Sequence, residues 1–157
     1  MTNKIETRLE ELGISLPAAP ASAGNYVAAV ETNGLLFISG QIARHEDGSP
    51  LIGRLGESMS VQDGQIAARS CAIQIIAAAK HALGDLDRVE RIVKLQGFVS
   101  AAHDFEQHPS VINGASDLMV EIFGSEIGSH ARAAVGMGSL PLGVAVEIDA
   151  IIAVRAA

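Results

Sequence analysis

A single cysteine, Cys71, is the whole thiol content of the chain, and tryptophan is absent. One thiol excludes an internal disulfide and any cysteine cluster able to hold zinc or an iron–sulfur centre. Aromatic residues make up only 3% of the sequence, so the core has to be assembled from Ala, Val, Ile and Leu. Long apolar runs are missing too: Arg, Lys, Gln, Glu or Asp breaks each one well before the ~20 residues that a membrane helix requires. No membrane association is expected. The opening residues, MTNKIETRLEELG, carry acids and no apolar segment, so they do not read as a signal peptide, and the expected location is the cytoplasm.

Positive charge is also scarce. Lys and Arg number 11 against 18 Asp and Glu, for a net charge of −7, and the cations are scattered along the chain. Nucleic-acid affinity rests on clustered cations that neutralise phosphates, so this balance argues against general DNA or RNA binding. It leaves room for a local anion pocket. The 157 residues, 48% of them hydrophobic, suit one domain with one core.

Within that frame the chain alternates between periods. Ile5, Leu9 and Leu12 sit at helical spacing before Gly13, which predicts a short amphipathic N-terminal helix. LPAAPASAGN then reads as an extended arm, so residues 1–22 form a helix-plus-arm extension and 23–157 a single domain. NYVAAVETNGLLFISGQI predicts a β-hairpin turning at Asn33-Gly34. A polar, Gly-rich loop follows, with a short strand expected at Leu51-Ile52. Ser60 and Asp63 have capping-box spacing ahead of a helix to Leu83, with Ile66, Ile73, Ile76 and Ala77 expected on its inner face and Gly84 as its stop. Val89 to Val99 reads as a strand. A second helical region from about His103 to Phe123 is interrupted near Pro109 and Gly114, which predicts a bend or a loop before its main part, and strands at about 133–137 and 144–154 close the chain. The order β-β-α-β-α-β-β predicts a two-layer α+β domain, a mixed sheet with both helices on one face.

The stretch SHARAAVGMGSLPLGVAVEIDA, Ser129 to Ala150, places Arg132 and Glu147 in a nearly uncharged run. A charge inside such a run is costly unless it meets a partner or a ligand. Other chemical signals are weak. His45, His81, His103, His108 and His130 form no HExxH pair or ligand cluster, so no metal is expected. Gly53-Arg54-Leu55-Gly56 lacks the lysine and the context of a phosphate loop, and Cys71 reads as a buried small residue.

Three ordered segments, SGQIA (39–43), LGDLDRVERIVKLQGFV (83–99) and HARAAVGMGSLPLGVAVEIDAI (130–151), resemble the YjgF/RidA family of reactive-intermediate deaminases, also labelled endoribonuclease L-PSP-like. The resemblance covers about residues 23–154 and points to a longer branch with an extra N-terminal helix. It implies a chorismate-mutase-like fold, a homotrimer with a barrel-like core and helices outside, and a ligand cleft between subunits. It also implies hydrolysis of 2-imino acids or enamines, such as 2-aminoacrylate, to 2-oxo acids and ammonia, with no metal or organic cofactor.

The resemblance gives several residues roles. Arg132 matches the arginine of the family's Pro-Ala-Arg-Ser element, and its planar fork suits a bidentate carboxylate grip; the competing reading is an ion pair with Glu147 or Asp149. Glu147 matches the family's Val-Glu-Ile glutamate, a candidate general base for water, although a strand glutamate facing solvent or a cation fits the residues alone equally well. Tyr26 would wall the cleft or simply pack, and the family's following Ser-Gln-Ala is Val27-Ala28-Ala29 here. Ser39 and Gly40 are expected at a strand end that allows close backbone approach, while Gln41 contacts the site or satisfies loop backbone. Asn113 fits the family's helix asparagine loosely, since an Asn before Gly114 also suits a turn. His130, two residues from Arg132, borders the expected cleft. The partner predicted on this basis is a small 2-imino or 2-oxo carboxylic acid. The alternatives are a non-catalytic binder of such acids and, opposed by the acidic charge, a ribonuclease or translation inhibitor.

Overall fold

The computed structural model describes residues 3–18 and 24–157. The sequence folds as α1 (Lys4–Glu11), β1 (Ala29–Thr32), β2 (Leu35–Ile42), α2 (Val61–Leu83), β3 (Val89–Ser100), α3 (His108–Gly128), β4 (Ala131–Met137) and β5 (Val146–Val154). The element order β-β-α-β-α-β-β is the one expected. Residues 19–23 of the predicted arm lie outside the described residues.

β1 and β2 form the hairpin, with Thr32 opposite Leu35 and both Asn33 (φ 50°) and Gly34 (φ 74°) in the left-handed region that a tight turn demands. The five strands lie in the order β1-β2-β5-β3-β4. β3 and β4 are parallel, and α3 makes the crossover between them; every other pair is antiparallel. β4 therefore ends the sheet with a free edge.

Alternation decides which side chains meet the helices. On β5, Val146, Ile148, Ala150, Ile152 and Val154 are buried, whereas Glu147, Asp149, Ile151 and Ala153 between them are only partly covered. α2 and α3 cover the first set and join Leu36, Ile92, Leu95, Ile75, Ile112 and Met119 in one core. Among the described residues no helix lies on the opposite sheet face. There Val30, Phe37 and Val135 are 50%, 41% and 40% exposed.

Ser60 caps α2 as expected: its hydroxyl accepts from Asp63 N–H while the Asp63 carboxylate accepts from Ser60 N–H. The predicted inner face of α2 needs correction, because Ile66 is 63% exposed while Ala67, Cys71, Ile75 and Ala78 are buried. α2 is enclosed by the sheet and by α3 together, so burial extends around most of the helix and a single apolar stripe misleads.

The loop expected before the main part of the second long helix is present, with residues 102–107 outside any helix, but Pro109 and Gly114 do not interrupt the helix that follows. Pro109 lies in the first turn of α3, where its missing N–H costs nothing. Gly114 is fully helical, and a Cβ there would come within 2.1 Å of the Gln65 carbonyl oxygen, so it is the point where α2 and α3 touch backbone to backbone. The break falls at Gly124 (φ 78°, ψ 164°), a conformation open essentially to glycine alone. The chain then turns back so that Gly128 packs against the Met119 carbonyl and Val120.

α1 is stapled on as a third helix. Leu9 is buried in the core, the Asp87 carboxylate accepts from the Lys4 and Ile5 N–H groups, and Lys80 pairs with Glu6. Arg8 Nε donates to the carbonyl of Glu121 beside the Gly124 break. Among the described residues no helix is long and apolar enough to cross a membrane.

Candidate functional site

The residues singled out in the sequence gather into two groups. The first is built on the β1–β2 hairpin and β5. Between Ile38, opposite Ala150, and Gln41, opposite Ile148, β2 carries one residue more than β5, a β-bulge at Ser39-Gly40. The bulge turns the segment before β1 into a flap: Ser39 Oγ donates to the Val27 carbonyl at 2.7 Å, and Ser39 N–H donates to the Ala28 carbonyl at 2.9 Å. Tyr26, 55% exposed, is thereby held near the bulge as a surface ring rather than a packed one. The Glu147 side chain lies over Gly40, where a Cβ would come within 2.1 Å of Oε1, so only glycine leaves the carboxylate its place.

Glu147 sits in an unusual setting for an acid. Burial and then the neighbouring Asp149 charge raise its pKa above the ordinary glutamate value, and among the described residues no hydrogen-bond donor offsets them. Asp149 is raised by burial as well, with Lys94 pulling the other way. Gln41 takes the blander of its two expected parts: it is buried, and its Nε2 donates to the Ser39 carbonyl, so it braces the bulge.

The second group is built on β4 and α3. Arg132 Nη1 donates to Asn113 Oδ1 at 2.8 Å and to Ser116 Oγ at 3.1 Å. Asn113 is a helical residue here, not a turn residue, and its side chain reaches the arginine from α3. His130 Nε2 lies 2.9 Å from Ser116 Oγ, and its Nδ1 lies 2.6 Å from the Gly128 carbonyl. Both Nη1 hydrogens of Arg132 are occupied by neutral oxygens. The Nη2 and Nε edge, which has the geometry for a carboxylate, has no hydrogen-bond partner among the described residues. Nor does Arg132 join any of the ion pairs found there, so the ion-pair reading is not realised within one chain. A groove of about 380 Å³ lined by Arg91, Val93, Ser129, His130 and Ala131 lies beside this group.

Strand register keeps the two groups apart in one molecule. Arg132 is opposite Leu95, which is opposite Ala150, and that row faces the helices. Glu147 is opposite Phe98, which is opposite Val135, and that row faces the uncovered side. Arg132 and Glu147 thus sit on different faces, separated by β3. Ser116 is the residue that sequence reasoning missed. Its signal was there, three residues after Asn113 on one helix face.

Other polar clusters are structural. The Glu6, Asp85 and Asp87 carboxylates approach one another, yet Asp87 caps α1 and Glu6 pairs with Lys80, so these acids are already engaged in holding the extra helix. Cys71 is fully buried, and burial, reinforced by the Glu147 charge, pushes its thiol well above the ordinary range, which makes it a poor nucleophile.

Comparisons with known proteins bear on the chain as a whole. Residues 6–150 match the YjgF/chorismate mutase-like family model, whose description also carries the label endoribonuclease. Protein TCP17 of Trypanosoma cruzi is 48% identical over 151 residues, covering 96% of this chain and 94% of its own. The crystal structure of Atu1372 from Agrobacterium tumefaciens superposes with a TM-score of 0.89 at 44% identity, covering 98% of this chain and 95% of that one. A 2-iminobutanoate/2-iminopropanoate deaminase of Dermatophagoides farinae is 27% identical over 142 residues, 90% of this chain and 95% of its own.

Proposed function

The chain belongs to the YjgF/chorismate mutase-like family, and from that membership we propose that it hydrolyses small 2-imino acids to 2-oxo acids and ammonia at a site completed by a second copy of itself. The observation that carries the reading is the pairing of a pre-set, unpaired guanidinium on Arg132 with a carboxylate of raised pKa on Glu147, each half of a site pointing a different way. The sheet face that carries Glu147 also carries exposed Val30, Phe37 and Val135, an apolar surface suited to burial against other copies. A closed ring of three such copies would bring the free edge of one β4 to the Ser39-Gly40 bulge of its neighbour and cover that face.

In this reading Arg132 grips the substrate carboxylate through Nη2 and Nε, with Asn113 and Ser116 holding Nη1 from behind. The imine carbon then lies toward Glu147 of the neighbouring copy. Glu147 takes a proton from water as the oxygen bonds to that carbon, forming a tetrahedral carbinolamine. For an imine bound as its protonated iminium, the nitrogen takes up the C=N electron pair in that addition, and Glu147 returns the proton to nitrogen as the C–N bond breaks. The hydroxyl proton leaves with the departing ammonia as the C=O bond forms, so one iminium and one water give one 2-oxo acid and one ammonium ion. A raised pKa brings the carboxylate closer to the balance of base and acid that this shuttle needs. Tyr26, Val27 and the Ser39-Gly40 backbone line the approach, and the exposed ring and valine favour a substrate with an apolar side chain.

The test is ammonia release from 2-iminobutanoate and 2-aminoacrylate, generated in situ, with wild type beside Arg132→Ala. Acceleration over background that is lost in Arg132→Ala of unchanged assembly state is expected. Absence of acceleration in wild type, with 2-oxo acids still bound through Arg132, would replace the deaminase with a carboxylate binder.

A further inference from the structure

We propose that Ser116 and His130 are positioning residues that fix the Arg132 guanidinium through a one-way hydrogen-bond chain ending on the backbone of α3. The importance of this chain for turnover rests on the reading of Arg132 as the carboxylate grip; its existence does not. The polarity follows from one atom. The Gly128 oxygen can only accept, so His130 Nδ1, 2.6 Å away, carries the ring hydrogen. In the neutral ring Nε2 is then an acceptor, and the Ser116 hydroxyl hydrogen points to it across 2.9 Å. That leaves the Ser116 oxygen lone pairs for Arg132 Nη1 at 3.1 Å. Each member donates in one direction, from Arg132 to Ser116 to His130 to the Gly128 carbonyl, and such chains reinforce themselves.

The backbone is shaped to close this chain. Ser116 and His130 are 14 residues apart, a separation of about 21 Å in an unbroken helix. The Gly124 break and the contact of Gly128 with the Met119 carbonyl fold the end of α3 back on itself, and this return delivers His130 to Ser116. With Asn113 taking the other Nη1 hydrogen, the roll of the guanidinium plane is set from one side only. The edge presented to a ligand is therefore fixed before the ligand arrives, which limits the ordering cost of binding.

The test combines a spectroscopic and a kinetic readout on Ser116→Ala, Ser116→Thr and His130→Gln. Long-range 15N correlation is expected to show the Nδ1–H tautomer of His130 in wild type. The Arg132 Nη protons are expected to be distinct and slowly exchanging in wild type and in Ser116→Thr, and averaged in Ser116→Ala. With an imino acid substrate, kcat/KM should fall between about ten- and a hundredfold in Ser116→Ala, the loss of a well-aimed contact. It should stay near wild type in Ser116→Thr and show no further loss when Ser116→Ala is added to Arg132→Ala. His130→Gln, able to accept from Ser116 but not to reach Gly128, should fall between. An Nε2–H tautomer, or Arg132 signals indifferent to Ser116→Ala, would overturn the proposal whatever the enzyme does. Averaged Arg132 signals in Ser116→Ala beside a wild type that neither turns over imines nor binds carboxylates would uphold the chain and remove the deaminase reading.

Discussion

The two groups built around Arg132 and Glu147 differ in how tightly the fold holds them. Arg132 is braced from behind by α3, with a serine and a histidine that themselves end on a backbone carbonyl. Among the described residues Glu147 has only steric support: its carboxylate lies in the gap that Gly40 leaves, burial and Asp149 disfavour its charge, and no donor steadies it. The contrast suits a division of labour in which one group must not move and stays charged throughout, while the other must exchange a proton. A carboxylate locked by several donors would have a depressed pKa and would be a weak base.

The sharpest way to break that comparison is to separate the halves onto different chains. Arg132→Ala and Glu147→Gln are each expected to be strongly impaired alone. Unfolding and refolding them together at equal concentration should restore activity to about one site in four, because only one pairing of neighbours in a symmetric ring carries both intact halves. No recovery in a properly assembled mixture would place both residues in the same subunit's site or remove one of them from the chemistry. Next in size, Glu147→Gln alone should lower kcat by roughly 10²- to 10⁴-fold, the usual worth of a general base, while 2-oxo acid affinity stays close to wild type. Gly40→Ala should fold, since the clash is with the end of a flexible side chain, yet lose about ten- to a hundredfold in kcat as the carboxylate is pushed aside.

How much of this was legible in the sequence follows the same division. The hairpin at Asn33-Gly34, the Ser60–Asp63 cap and the alternation of β5 are local signals, and each appears where expected. The loop ahead of α3 also appears where expected, whereas Pro109 and Gly114 read as interruptions because such residues break helices in general. Here tertiary context governs: Pro109 sits in the first turn, and Gly114 is there to let α2 approach. Arg132 and Glu147 stood out because a charge in an apolar run needs a reason. Their placement on opposite faces did not, since it depends on pairing register through β3, which no local pattern carries. Ser116 had a local signal, its i, i+3 spacing to Asn113, but its link to His130 had none: the Gly124 return brings the two together.

Gly114→Ala sharpens the point that this glycine is structural. A methyl group 2.1 Å from the Gln65 carbonyl has to push α2 and α3 apart, and overpacking of that kind costs about 1–3 kcal/mol, visible as a lower denaturation midpoint with little change in the activity of the folded fraction.

The smallest effect concerns the charge on Glu147. Because its folded pKa is raised, the native chain binds more protons than the unfolded one in the window that opens near 4.5 and closes at the raised value. The stability that Glu147 contributes is therefore fully present below that window and is lost as pH rises through it. Glu147→Gln should remove part of this fall, leaving Asp149, raised for the same reason, to supply the remainder. The slope also reports on the partner half-site. An Arg132 from a neighbouring copy would favour the charged carboxylate and oppose burial, so denaturation of the associated protein should show a shallower pH dependence than denaturation of dissociated chains. A slope equally steep at all protein concentrations, in a range where association is verified independently, would mean that no cation reaches Glu147 from a second copy.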